Sequence, residues 1–523
     1  MSAAWKQLAL LTALALVSAC GHMRVGASRA IPWDTSVQHL VPARDGVAHA
    51  PRPLAKPYAP EHPFMAPHGA SSMHVDPFTT NAYSWAGPLG HQPEVASRSM
   101  GFLGGECPTI NFDRRGRIVT VCVSKRTPTL LLLEPETLHV LASYELPARR
   151  SSMLQLRKTM NDTSGGAYFY LDHLDRAVVG TADGSIEVIA VEGQGEELRF
   201  VRHEHFNLAR ELTLPTGELD KITAVMPDFE GNYWFVARYG TLGFVRAKAD
   251  PAAPRVVSKR LAGEEIENSF SMAPEGAYIV SDHALYHFAA TAQGTLALIW
   301  REAYDRGTAR KLGQINQGSG TTPTILGEDY VAIADNAEPR MNVLVYRRKA
   351  GANERLVCRT PVFSPGQSAT ENTLIGHGRS LIVENNAGYD LFLTMRGGKT
   401  SAPGLARIDV RADESGCDVM WESREISQTT VPKLSTATGL VYAYTKLPNA
   451  PNGLDAYYFT AIDFDTGKTV YRVLTGTGVR YDNNWAAISL APDGTAFVGV
   501  LNGLIRVRDS VVPYAGTPSR PAF

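Results

Sequence analysis

Oxygen-bearing side chains recur in short clusters along this sequence: Glu267-Asn268-Ser269, Asp335-Asn336, Glu371-Asn372, Glu384-Asn385-Asn386 and Asp482-Asn483-Asn484. Brought together, carboxylates and carboxamides suit a hard cation, because Ca2+ takes about six to eight oxygens from Asp, Glu, Asn, backbone and water. The same set suits a polyhydroxylated ligand, which needs donors and acceptors side by side. Each residue alone has a plainer use, since Asn and Asp cap strand ends by bonding their own backbone. For hydrolysis, the route open to these residues is a metal-polarised carbonyl attacked by an activated water. Asp335, Glu371 or Glu384 would be the base, with His283 as an alternative. Nucleophilic catalysis has little support: there is no G-x-S-x-G elbow and no H-E-x-x-H pair. His68, His74 and Asp76 form a further metal-ligand candidate, although loop histidines without a partner set are more often solvated.

These clusters sit at the ends of strand-like runs, and the runs repeat. From Glu106 onward an apolar run, a turn with Gly, Asp or Pro, and a second run rich in Val, Ile, Tyr and Phe recur eight times, as in CPTINF-DRRG-RIVTVCV, ITAVMP-DFEG-NYWFVAR and WAAISL-APDG-TAFVGV. A third and often a fourth run follows each pair. Three or four short antiparallel strands repeated at roughly 40 to 60 residues predict an all-β fold, a β-propeller. Eight blades are expected, or seven if one unit is misread. The eighth unit ends after its third strand, so the ring is predicted to close by pairing of N- and C-terminal parts, with a strand drawn from Gln92–Phe102.

In such a ring the start of strand one and the end of strand two emerge on one face. Starts carry Glu106, Asp220, Glu267, Asn268, Glu371, Asn372, Asp482, Asn483 and Asn484. Ends carry Asp183, Asp282, His283, Asp335, Asn336, Glu384, Asn385, Asn386 and Asn502, with Arg238 as the conspicuous cation. One mouth of the channel is therefore expected to be rich in carboxylates and carboxamides.

The composition is that of a folded chain: 523 residues, 44% hydrophobic and 20% charged. With 51 Lys+Arg against 52 Asp+Glu there is no positive excess for a phosphate backbone, so nucleic acid is not an expected partner. The first residues, MSAAWKQLALLTALALVSAC, read as a secretory signal peptide, and the apolar run Leu8–Val17 is too short to span a bilayer. VSAC resembles the bacterial lipobox. That resemblance implies cleavage before Cys20, acylation of its sulfur and amine, and attachment to the membrane through the lipid. Gly21 rather than Asp after the cysteine suggests the outer membrane of the cell envelope by the same resemblance. The predicted division is 1–19 signal peptide, 20–90 Pro/His-rich tether and irregular arm, 91–510 propeller and 511–523 tail. Within the arm, His68–Trp85 is expected to pack on the core.

The remaining cysteines would occupy an oxidising compartment. Read as a hairpin, Phe112 faces Arg117 and Cys107 faces Cys122, which predicts a cross-strand disulfide. Cys358 and Cys417 lie one repeat apart, and their pairing would staple neighbouring blades, although four cysteines allow three connectivities.

Ala461–Gly478, AIDFDTGKTVYRVLTGTG, resembles the propeller repeat of quinoprotein dehydrogenases through Ala461, Asp463, Thr466, Gly467 and Lys468, with Tyr471 at the usual tryptophan. Leu133–Leu146 is a weaker relative of it. The adjacent-cysteine disulfide of that family is absent, which weighs against pyrroloquinoline quinone (PQQ). A looser similarity is to calcium-containing lactonase-like propellers, in which acidic and Asn residues at the channel mouth hold the ion. The sequence thus predicts a lipid-anchored envelope propeller that binds a ligand, cation or envelope protein at an Asp/Glu/Asn-rich mouth. A calcium-dependent ester or lactone hydrolase and a quinone-dependent dehydrogenase are the alternatives, and whether the chain is an enzyme is left open.

Overall fold

A computed structural model describes residues 29–511 except 34, 102–104, 124–126, 150–161, 249–254, 350, 352–353, 395–399 and 448–454. The expected signal peptide, Cys20 and most of the expected tail lie outside the described residues. Eight sheets stand around a ring, six of them simple four-stranded meanders in chain order. Blade 1 opens with Glu106–Phe112 and blade 5 with Thr324–Leu326. The eighth blade joins both ends of the chain: Pro93–Ser99 runs antiparallel to Gly503–Asp509, from Pro93 opposite Asp509 to Ser99 opposite Gly503. This is the closing strand expected within Gln92–Phe102, and the ring has eight blades rather than seven.

The inner strands read as unbroken apolar runs because both faces of each sheet are covered by neighbouring blades. Tyr330–Ala334, in the middle of blade 5, is buried at every position. The outermost strands alternate, as Arg199–Asn207 does, because one face meets water. Between blades 8 and 1, for example, Phe497 and Leu504 pack with Phe112, Ile118, Leu131 and Leu133. Turns between first and second strands use a repeated device. Oδ1 of Asp113 accepts from the amides of Arg115 (3.0 Å) and Arg117 (2.8 Å), Asp172 does the same for Leu174 and Arg176, and Asp228 for Glu230 and Asn232.

Both expected disulfides are present. Cys107–Cys122 ties the first two strands of blade 1, and Cys358–Cys417 joins the outer strands of blades 5 and 6. The register of the first hairpin differs from expectation: Phe112 faces Ile118, not Arg117. A bulge between Glu106 and Thr109, at Pro108, which has no amide to give the ladder, shifts the pairing by one and brings Cys107 back to Cys122. In blade 7 the turn within Ala461–Gly478 is closed by Asp463, which accepts from the amide and hydroxyl of Thr466 at 2.9 and 2.8 Å. Trp421 of blade 6 lies against Gly467 and donates its Nε1–H to the Phe464 carbonyl at 2.9 Å, linking the two blades.

The segment expected to be a tether and irregular arm is, from His62 to Leu89, largely buried. It crosses the ring at the level of the inner strands and bonds them in succession. Phe112 N donates to Ala70 O (3.2 Å), Leu171 N to Ser71 O (2.8 Å), Met272 N to Pro77 O (2.8 Å), Ile325 N to Phe78 O (3.0 Å), Gly376 N to Thr80 O (2.8 Å) and Leu434 N to Asn81 O (2.9 Å). Trp85 Nε1 donates to Leu490 O of blade 8 at 3.1 Å. Ahead of this crossing, Arg44–Gly46 adds an outer strand to blade 7. Gly46, at φ 83°, is required there, since a Cβ would meet the Val470 carbonyl oxygen at 2.1 Å. Among the described residues no helix is long and apolar enough to cross a membrane.

Candidate functional site

The clusters picked out by type and spacing divide in two. In one group the backbone absorbs the side chain. Asp335 accepts from the amides of Ala337 (3.1 Å) and Asn342 (2.6 Å) and from Asn342 Nδ2 (2.8 Å). Asn385 donates to the carbonyls of Gln367 and Pro403, and Asn336 donates to those of Arg306 and Ala309, both at 3.0 Å. Asp482 takes the amide of Asn483 at 3.0 Å. Asp220 caps Tyr239 and Thr241.

The other group converges. Asn268, leading into blade 4, accepts from the Tyr168 hydroxyl (2.8 Å) and donates Nδ2 to Gly320 O (2.6 Å) and toward Glu371 Oε1 (3.5 Å). Glu371, leading into blade 6, takes the amide of Ile315 on its other oxygen at 3.1 Å. Asn372 donates to Glu384 and to the Thr429 carbonyl, and Asn386 accepts from the Glu371 amide at 2.7 Å. Burial pushes the Glu371 carboxyl up to about 7 and that of Glu384 up to about 8. Glu106, buried beside Asp482 and bonded to the Asn484 amide, is likewise pushed up to about 8, mainly by burial.

Above this network lies a pocket of about 330 Å³ lined by Asp162, Thr163, Ser164, Lys221, Thr223, Arg238, Glu267, Arg310 and Ile315, among others. Glu267, expected at this face, lies in its wall and pairs with Arg238, which also reaches Glu265 at 3.0 Å. Lys221 Nζ is 2.5 Å from Asp162 Oδ2. Burial favours the neutral acid at Asp162, but the charges of Arg149 and Lys221 outweigh it and hold the carboxyl below its ordinary value. Arg310 is exposed, donates to Gln314 O at 2.9 Å, and has no carboxylate at ion-pair distance among the described residues. The site can therefore take a group that carries one negative charge and hydroxyls: it offers cations, carboxylates and the hydroxyls of Thr163, Ser164 and Thr223. Among the described residues no three His, Cys, Asp or Glu side chains gather into a metal cage.

Asp162, Lys221 and Arg310 escaped the sequence reading because they lie outside the sampled strand ends. Asp162 and Arg310 come from long connections between blades, and Lys221 stands one residue beyond Asp220. The signal was the length of the stretches between outer and inner strands, Glu145 to Tyr170 and Ala303 to Thr324, where about two to six residues suffice for most connections. His74 and Asp76, weighed in sequence as metal ligands within a segment expected to pack on the core, are 3% and 1% exposed within the crossing arm. Asn81 Oδ1 faces His74 Nδ1 at 3.2 Å and Lys433 Nζ, and Asp76 bonds Thr80.

No family model matches the chain. A curated relative, an uncharacterized protein of Archaeoglobus fulgidus, is 24% identical over 319 residues, 55% of this chain and 61% of its own length. The chain thus spans less than two thirds of that relative. Among solved structures, Sqt1 of Chaetomium thermophilum, bound to the N-terminus of ribosomal protein L10, is 10% identical over 79% of this chain and 99% of its own, with a TM-score of 0.44. Streptogramin B lyase is 8% identical over 82% and 99%, TM-score 0.39. A protein from Lactobacillus plantarum is 13% identical over 67% and 92%, TM-score 0.34. These likenesses concern the fold alone.

Proposed function

We propose that this chain is a lipid-anchored envelope propeller that binds, without transforming it, a small polar ligand bearing one negative charge and several hydroxyls. The supporting observation is the pocket in which Lys221 and Arg238 are already paired with carboxylates while Arg310 is left to meet an anion. The paired charges are fixed in place, which limits the ordering cost of binding and lets their remaining donors and acceptors serve hydroxyls. The buried Glu and Asn network beneath is the support that holds Ile315 and the 305–320 connection over the pocket. Anchoring through Cys20 rests on the lipobox resemblance.

Calorimetric titration of the mature protein with D-galacturonate and with D-galactose tests this. Saturable binding of the acid, at least tenfold weaker for the neutral sugar and about tenfold weaker in Arg310→Ala, is expected. Equal heats from both sugars would overturn the assignment. Ca2+ belongs to the same experiment: if calcium raised the melting temperature and switched on lactone hydrolysis that Glu371→Gln abolished, the hydrolase would replace it. Mass spectrometry of the mature N-terminus should find a diacylated Cys20, and an unmodified terminus would remove the anchor.

A further inference from the structure

Beside the charged pocket lies a second crevice of about 30 Å³ lined by Arg310, Leu312, Gln314, Tyr389, Phe392 and Trp485, among others. Arg310 belongs to both. Three observations mark the crevice as built for contact. Leu312, 51% exposed, and the partly buried Phe392 and Trp485 make an apolar shelf, with Tyr389 set edge-on to Trp485 at 5.3 Å. Trp485 adopts φ 63°, and Gln428, one residue from the Thr429 hydroxyl that accepts the Trp485 amide at 3.3 Å, adopts φ 52°. Non-glycine residues in that region are strained and gather where a site must be held in shape. Finally, Trp485, which lines the crevice, carries an indole Nε1–H with no hydrogen-bond partner among the described residues. Unmet polar atoms of this kind are uncommon in folded proteins and call for a partner.

Building on the reading of the charged pocket, we propose that the two cavities form one elongated site for an acidic oligosaccharide. The carboxylate of one sugar meets Arg310 in the charged pocket, and the ring of its neighbour lies on the Trp485–Phe392 shelf. Sugar rings offer C–H faces that rest on aromatic side chains and hydroxyls that bond the polar side chains of the charged pocket. A nucleotide also joins an anion to a flat ring. Asp162 and Glu267 in the pocket wall disfavour it, because its phosphate would bring about 1.5 to 2 negative charges against them.

The test titrates the mature chain with digalacturonate, galacturonate, the neutral disaccharide cellobiose and adenosine 5′-monophosphate. Digalacturonate is expected to bind at least about tenfold more tightly than the monomer or cellobiose. Trp485→Ala should remove that advantage while leaving galacturonate affinity unchanged, and Arg310→Ala should weaken monomer and dimer alike. Trp485→Phe, which keeps the ring and removes the N–H, guards against a folding defect and should retain part of the gain. If monomer and dimer bind equally in wild type, or Trp485→Ala leaves the dimer's advantage intact, the shelf is idle and this proposal falls while the pocket reading stands. If neither acid binds, the pocket reading itself has failed. Tighter binding of the nucleotide overturns the saccharide class.

Discussion

Lys433 and Glu384 are both buried ionisable groups, and burial drives both toward the neutral form; the two ends of the ring differ in what surrounds them. On the arm side, Lys433 Nζ donates to Met73 O at 2.6 Å and to Asn81 Oδ1. Asn81 in turn donates to the carbonyls of Thr373 and Leu374, and His74 Nε2 lies 3.2 Å from the Thr373 hydroxyl. Burial drives the Lys433 amine well below its ordinary value against the pull of Asp76, and pushes His74 down to about 3, so this end favours neutral groups knitted to the backbone. On the pocket side, Lys221, Arg238 and Arg310 keep access to solvent around the cavity of about 330 Å³, and burial lifts the acids beneath it to about 7 or 8. One end of the ring is finished by the chain's own arm, and the other carries the charged pocket. On the proposed reading, the difference separates residues that stabilise from residues that bind.

The sharpest way to break this contrast is Asn81→Leu. It strips four hydrogen-bonded groups of their partner and puts a bulky side chain at φ 54°. A loss of about 3 kcal/mol or more, read as a lowered denaturation midpoint, is expected with no change in ligand affinity for the folded fraction. Next in size, Asp335→Ala removes a buried turn cap with three bonds and should cost about 2 kcal/mol, again without touching affinity. An affinity change there would move Asp335 back among the binding residues. Arg310→Ala should do the reverse: about tenfold weaker binding of galacturonate, near 1.4 kcal/mol, with the melting temperature unmoved.

The pH dependence gives a separate check on the buried acids. Glu371 and Glu384 have folded-state values of about 7 and about 8 against an ordinary 4.5, so between pH 4.5 and about 8 the folded protein holds protons that the unfolded chain has released. Their contribution to stability is complete below pH 4.5, declines as pH rises through 7 to 8, and is level above that. Melting temperatures measured from pH 5 to 8.5 should fall in wild type and fall less in Glu371→Gln and Glu384→Gln. An unchanged slope would show that these acids are ionised when buried.

The blades and the Cys107–Cys122 hairpin were legible in the sequence because they are written in local alternation and turn chemistry, whereas Cys358–Cys417, 59 residues apart, was one of the connectivities the sequence left open. Glu267, Asn268, Glu371, Asn372 and Glu384 were legible as a set, since strand ends on one face can be counted once the repeat is known. Asp335, Asn336 and Asn385 look the same in sequence yet spend their side chains on neighbouring backbone, a distinction that depends on turn geometry rather than residue type. The Phe112 register was missed because a bulge at Pro108 leaves the hydrophobic pattern intact while shifting the ladder by one.

By itself the sequence determined that the chain forms strands, where they turn, and that its ends must meet, because periodicity and capping act over a few residues. Only the tertiary structure decided that a Pro-rich arm fills one end of the ring, and that Asp162, Lys221, Arg238, Glu267 and Arg310 share a pocket. Those outcomes need groups far apart along the chain to be desolvated together. No local pattern encodes them, since the free energy of burying or pairing a charge is set by whatever the closed ring brings to its side.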